Sequence, residues 1–485
     1  MSAVPEPEEL AELLADVAAP IMTKQRVPGV SIGVSSATTA ASRHLGVTNI
    51  DHPLDPTDRA VYQIGSISKI FTATVAMQMV AEGLFDLDTP IRRWLPDLRL
   101  GDEAVAAAVT VRHLLQHTGG WYGDFAADTG RGDDALASMA GRLASTVQAT
   151  ALGSTFHYSN LGYVLLGQVI EATGERSFER SVRERIIEPA SLADTALFPE
   201  DVIFGRIAAG HVVGSETVRL SGYGRPRARV ANGGVLSSLA DVLHFGRIHL
   251  RDGVADDGTR LLSAVATRSM REPGPPTGVD DEHRGFGWCV SDRYGVSLVE
   301  HSGATPGFQT MFAVLPEHDR VMAVLTNANI GGVVAREVMR RLREVLAGVD
   351  ELPAATGAID ADGFDEITGV YLGNGVLQIA GTARAPVLVT WMGAVRDPRR
   401  HPIAAAGVSG RFEVTDGPLR GNQFDLVRDE SGAIGHLRYN GSRLFRPVRD
   451  DRDVDVLERL VERHPEFANE LTELRDRRSS SEEGR

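Results

Sequence analysis

Gln63-Ile64-Gly65-Ser66-Ile67-Ser68-Lys69-Ile70-Phe71-Thr72-Ala73 is the stretch on which the reading of this chain turns. Ile70, Phe71, Val75, Met79 and Val80 recur at helical spacing, so a helix is expected to open near Ser66 and run to about Gly83. Side chains three apart share one face of a helix, which stands the amine of Lys69 over the hydroxyl of Ser66. The helix start adds free backbone N–H groups and a positive dipole end beside that hydroxyl. A serine so placed can pass its proton to its neighbour and attack a carbonyl. Ser68 reads as a local hydrogen-bonding helper.

Lysine is scarce in this protein. Lys24 and Lys69 are the two lysines among 50 basic residues; the rest are arginine. Arginine stays protonated in proteins, whereas a desolvated lysine can act as a base. A chain that fills its surface with arginine and keeps a lysine three residues after a serine points to chemistry at Lys69.

Working outward, residues 6–24 read as an amphipathic helix and Gly29–Val34 as a strand, followed by helical patterns to about residue 200. Strand patterns return at 298–301, 310–315 and 320–325, before a helix from about Val333 to Leu346. Ser237, with Asp241 in the first turn, reads as the cap region of a helix ending near Leu250. Strands at both ends with helices between predict one mixed α/β domain over residues 1–348. A linker at 349–365 leads to short β-rich runs at 376–379, 387–390, 423–427 and 436–439, expected to form a small antiparallel barrel over 366–448. Val376, Leu377, Val387, Leu388, Phe424 and Leu426 are its expected core. The barrel is expected either to lie over the cleft as a lid or to act as a spacer or dimerisation module. Residues 449–485 read as a docked helix and a disordered tail.

Composition narrows the partners. With 485 residues and 42% hydrophobic content the chain can hold two packed units. A net charge of −15 argues against nucleic acid or an anionic membrane as partner. The single cysteine, Cys289, cannot form an internal disulfide and reads as a buried thiol. Residues 1–19 are acidic and lack a basic region followed by an apolar core, so a cytoplasmic location is expected. The sequence does not reveal the oligomeric state.

Two further motifs join the first. Tyr158-Ser159-Asn160 lies in a turn before a helical run, and Glu300-His301-Ser302-Gly303-Ala304 is a polar strand end entering a glycine-rich turn. SxxK, then YxN, then a Lys- or His-x-Gly strand, in this order, resembles the serine β-lactamase and penicillin-binding-protein superfamily. The likeness is to class C β-lactamase-like esterases, D-aminopeptidases and penicillin-binding-type thioesterases. Leu114-Leu115-Gln116-His117-Thr118-Gly119-Gly120 and Gly233-Gly234-Val235-Leu236-Ser237-Ser238 support it, and it covers about residues 15–345.

The resemblance implies an antiparallel sheet flanked by helices with a helical subdomain, and a lipocalin-like C-terminal barrel. It implies Ser66 as acylated nucleophile, Lys69 and Tyr158 as proton-transfer groups, and Asn160 as orienter of Lys69 and a substrate carbonyl. The oxyanion hole would be the backbone N–H groups of Ser66 and Ala304. His301 would border the site and hydrogen-bond Tyr158 or the substrate, its competing reading being a structural histidine. His117 is assigned to structure. Trp121, Tyr122 and Phe125 are read as pocket wall rather than core, and Gly303 as a substrate-binding position. No metal or cofactor is called for. Since antibiotic-degrading members carry lysine where His301 stands, recognition of a substrate carboxylate is expected to be weak. That favours esters, D-amino-acid amides or other uncharged acyl donors over β-lactams. The alternatives are a thioesterase that releases a carrier-bound peptide by cyclisation, and a non-catalytic scaffold of the same fold.

Overall fold

The computed structural model describes residues 5–448, apart from 123–126, 215, 221, 223–224, 353–354, 374, 393–398, 407–409, 418 and 430. Phe125 and the expected C-terminal helix therefore lie outside the described residues. The chain divides into two compact units, Met1–Pro276 with Asp281–Leu352, and Thr277–Asp280 with Pro353–Arg485.

In the first unit a seven-stranded antiparallel sheet runs in the order Ala40–Gly46, Gly29–Ser35, Arg320–Thr326, Phe308–Leu315, Val296–Thr305, Cys289–Arg293 and Glu282–Arg284. Alternation along each strand sends side chains to two different cores. Val30, Ile32, Met322 and Val324 pack under helices Pro7–Gln25 and Gly332–Ala347, against Leu10, Leu14, Val338 and Leu342. Phe312, Val314, Val321, Ala323 and Leu325 face the other way, into a larger core shared with helices Ser68–Ala81, Asn160–Gly174 and Leu239–Leu250. Gly33 allows the last of these helices to lie on the sheet, because a Cβ there would stand 2.6 Å from Leu243 Cδ1. That helix is capped by Ser238, whose side chain accepts from Asp241 N. The expected cap, Ser237, is instead the middle residue of the short strand Leu236–Ser238.

The second unit holds a closed eight-stranded antiparallel barrel, Gly369–Leu372 through Arg443–Pro447, sealed by the pairing of Tyr371 with Pro447. Leu377, Ile379, Leu388, Phe412, Phe424, Leu437 and Phe445 fill it, with the rings of Phe412 and Phe424 stacked at 5.1 Å. Neighbours on a strand cannot both point inward. Val376 and Val387 accordingly fall outside the interior cluster, while Leu426 packs at its margin. Helix Ala361–Ile367, capped by Asp360, occupies part of the stretch expected as linker.

Candidate active site

The nucleophile's helix opens more tightly than expected. Gly65–Ile67 is a turn of 3-10 helix, and the α-helix proper runs Ser68–Ala81. Gly65 has φ +55, and a Cβ on it would lie 2.6 Å from the backbone nitrogen of Ala304. A Cβ on Gly303 would lie 2.0 Å from the carbonyl oxygen of Ile64, which already accepts the Thr310 hydroxyl at 3.0 Å. Two glycines thus let the end of strand Val296–Thr305 run against the turn that carries Ser66. Ser68 secures the same turn from inside: its hydroxyl donates to Gly65 O at 2.6 Å and accepts Val235 N–H at 3.0 Å.

Lys69 is fully buried. Its Nζ lies 3.2 Å from Ser66 Oγ, 2.8 Å from Asn160 Oδ1 and 2.7 Å from Asn232 O. Asn232 also donates its side-chain amide to Asn160 O at 3.2 Å, so the two asparagines hold each other as well as the lysine. The Tyr158 ring stands 4.8 Å from Nζ. The structure therefore brings Ser66, Lys69, Tyr158, Asn160 and the Gly303–Ala304 strand end together. Lys24, by contrast, is exposed in the last turn of its helix.

Tyr158 is positioned by the helix that begins just after it and by the residues packed beneath it. Ser159 caps helix Asn160–Gly174, accepting Gly162 N–H at 3.2 Å, and also accepts the Trp121 indole N–H at 3.2 Å. Trp121 is 1% exposed and belongs to the core. Its expected place on a pocket wall is thus corrected: it supports the Tyr158 turn from behind. Tyr122 is only part-buried, edge-on to His157 at 5.5 Å.

His117, in the left-handed region at φ 56, stacks on Tyr158 at 4.4 Å. Its Nδ1 is 3.1 Å from Ser159 O and its Nε2 is 3.4 Å from Arg284 Nη2. His301 is built alike, with Nδ1 2.6 Å from Ser302 O and Nε2 2.6 Å from the same Arg284 Nη2. A guanidinium can only donate, so Nε2 of His301 accepts and its Nδ1–H donates to Ser302 O, while His117 Nδ1 meets both the carbonyl of Ser159 and, at 3.0 Å, its N–H. Burial first, and then the Arg284 charge, pushes both imidazoles well below the usual histidine range. Two neutral histidines therefore brace one buried arginine, whose guanidinium lies 5.7 Å from the Tyr158 ring centre. His301 Nε2 meets Arg284 rather than the expected Tyr158, whose ring is 6.2 Å from that of His301.

Arg284 and Asn232 were not singled out in the sequence. Asn232 acts on Lys69 through a backbone carbonyl, which leaves no mark on residue type. Arg284 is one arginine among dozens. Cys289, paired with Arg284 across strands Cys289–Arg293 and Glu282–Arg284, has a thiol raised well above its ordinary value by burial and lies outside this cluster. Among the described residues no cluster of His, Cys, Asp or Glu is arranged to hold a metal.

A serine under a buried amine, with a tyrosine beside it and a strand edge facing it, defines a serine hydrolase. The family profile "Beta-lactamase" matches residues 14–347. Over 338 residues the chain is 34% identical to penicillin-binding protein 4 of Amycolatopsis lactamdurans, covering 68% of this chain and 88% of that one. Two solved structures share the fold. SurE with D-Leu matches at TM-score 0.68 and 21% identity, over 91% of this chain and 100% of that one. The octameric penicillin-binding protein homologue from Pyrococcus abyssi matches at 0.63 and 23%, over 90% and 99%. The chain belongs to the beta-lactamase family. Among the described residues, no helix is long and apolar enough to cross a membrane.

Proposed function

We propose that this protein cleaves ester or amide bonds of small substrates, D-amino-acid derivatives among them, through an acyl-Ser66 intermediate. The observation that carries the reading is the buried Lys69 amine, aimed at Ser66 Oγ and fixed by two further acceptors. In this reading Lys69 and Tyr158 relay the Ser66 proton, and Tyr158 delivers it to the leaving group. Lys69 and Arg284 flank the tyrosine ring, and the fixed charge of Arg284 favours negative charge on the oxygen through which the proton passes. Asn160 fixes the amine and takes part in holding the substrate carbonyl. The N–H groups of Ser66 and Ala304 receive the developing oxyanion, an arrangement supported by the close approach at Gly65.

Histidine at position 301 does not leave the site without a fixed positive charge. Arg284, behind His301, supplies one, so a carboxylate on the leaving-group side is not disfavoured on charge alone. Peptide and amide substrates ending in a carboxylate therefore stand beside simple esters.

Intact-mass spectrometry with p-nitrophenyl esters, D-amino-acid amides and penicillins tests the reading. Wild-type protein should gain the acyl mass and Ser66→Ala should not. An adduct of equal yield on Ser66→Ala would remove Ser66 as nucleophile. Product analysis with an added amine then separates release to water from release by aminolysis or cyclisation, the alternative fate of the same intermediate.

A further inference from the structure

A second group of arginines lies next to the nucleophile's turn. Arg131, Arg225 and Arg227 line a cavity of ≈ 40 Å³ together with Gln63, Phe198 and Leu236, and among the described residues no carboxylate lines it. Two of the three are neutralised. Arg131 pairs with Glu200, and Arg227 pairs with Glu179 and Asp133. Arg225 has no such partner among the described residues, and its Nε and Nη1 are buried without a hydrogen bond. Its charged neighbour is Arg229, which repels it; burial is the larger effect, and together they bring the guanidinium down to about 10. Leaving a buried donor unmade is costly, and costlier when it carries charge.

The position ties this cation to the active site. A Cβ on Gly233 would lie 3.9 Å from Arg225 Nη2 and 3.9 Å from the carbonyl oxygen of Gly65, the residue before Ser66. Gly233 directly follows Asn232, whose carbonyl holds Lys69. Tyr158, His117, Arg284 and His301, on the proton-donating side of the site, contribute nothing to the cavity lining. Ser66, Lys69 and Asn160 do not line it either, so it adjoins the site through Gly233 and Gly65; in the proposed chemistry leaving groups depart toward Tyr158, and the cavity is assigned to the other half of the substrate. Its volume admits about three waters, or one carboxylate in their place. A carboxylate meets the guanidinium fork with two parallel hydrogen bonds.

We infer that Arg225 forms an anion subsite that binds a carboxylate on the acyl portion of the substrate, making this a hydrolase of carboxylated acyl donors. The inference rests on the proposed acyl-Ser66 chemistry. Its test uses the full chain with p-nitrophenyl hydrogen adipate and p-nitrophenyl hexanoate, which differ only in the terminal carboxylate. Wild type should show the higher kcat/KM on the adipate ester. Arg225→Gln should lower the adipate-to-hexanoate ratio at least tenfold, and Arg225→Lys should retain part of the preference. A ratio unchanged within twofold in Arg225→Gln overturns the subsite. Adipate alone is the second probe. It should raise the Tm of Ser66→Ala protein and not that of the Ser66→Ala, Arg225→Gln double variant. Equal shifts, or none in either, count against the subsite. A fluorophosphonate that fails to label wild-type Ser66 refutes the acyl-serine reading instead, and the adipate melting test still decides the anion site.

Discussion

Gly65→Ala isolates the oxyanion geometry from the proton path. The new methyl would arrive 2.6 Å from Ala304 N and 3.1 Å from Ala304 C and O, all backbone atoms that cannot rotate aside. Ordinary contact begins near 3.4 Å, so the strand end and the nucleophile's turn must separate by most of an ångström. An oxyanion donor works within about 2.7–3.1 Å of the charge it stabilises, and losing one costs about 10²–10³ in kcat. The expected result is a fall of about a hundredfold in kcat on a p-nitrophenyl ester, with KM changed by less than about threefold, since the interaction forms mainly in the transition state. Backbone strain at φ +55 adds about 1–2 kcal/mol of destabilisation, to be read as a lowered Tm. Gly83→Ala is the matched control. Its φ is +73 and a Cβ there meets nothing within 4 Å, so it carries the strain without the collision. If Gly65→Ala loses stability like Gly83→Ala yet keeps kcat within about threefold, the close approach of Ala304 is packing, and the oxyanion assignment fails.

The other predictions probe the proton path, the braced arginine and a buried acid. Lys69→Arg should lower kcat/KM about a hundredfold or more, because arginine keeps charge but cannot accept a proton; retention above about a tenth, a barrier change under about 1.4 kcal/mol, removes Lys69 from the path. Tyr158→Phe should slow acylation in single-turnover assays while leaving substrate affinity near wild type; a change confined to KM would make it a binding residue. His301→Lys should lower Tm and activity together, because it sets an ammonium where Arg284 Nη2 now lies 2.6 Å from a neutral ring; unchanged melting would show that Arg284 does not depend on His301. Burial, with Glu179 adding to it, lifts Glu171 to about 7, against a hydrogen bond from Phe178 N–H that opposes the shift. A carboxyl raised in the folded state contributes stability that is full below about 4.5 and lost as pH rises through 7. Glu171→Gln should therefore melt higher than wild type at pH 8, with the advantage vanishing near pH 4.5; an equal advantage at both pH values would refute the burial argument.

The sequence disclosed elements wherever one face is apolar and the spacing regular. Helices Pro7–Gln25 and Gly332–Ala347 and the strands Phe308–Leu315 and Arg320–Thr326 were legible because each buries a defined face against one core or the other. Strand Ala40–Gly46 was not, since as the sheet's edge it is half-exposed and mixes Ala, Ser, Arg and His without alternation. Barrel strands Gly369–Leu372 and Arg411–Val414 escaped for a different reason: four residues are too few to show a period of two against turns rich in glycine and aspartate. The start of the nucleophile's helix was misjudged by two residues because a 3-10 turn and an α-turn present the same apolar spacing over so short a stretch.

Within the site, legibility followed scarcity. Lys69 stood out because lysine is rare in this chain, and its burial among three acceptors fits a residue kept for what arginine cannot do. Arg284 and Arg225 were invisible for the converse reason. Where arginine is the default cation, nothing in the sequence separates an arginine paired on the surface from one buried beside a tyrosine or held without an acid. Only the surroundings make the difference: two histidine rings for Arg284, and for Arg225 a cavity whose other two arginines are already paired with acids. Arg284, whose Nη2 meets both rings and whose Nε is itself buried without a hydrogen bond, shapes the field at Tyr158. Arg225 keeps two buried donors unpaired at a cavity beside the nucleophile's turn that neither Tyr158 nor Arg284 lines, and that position is why a substrate carboxylate on the acyl side is sought at Arg225 rather than at Arg284.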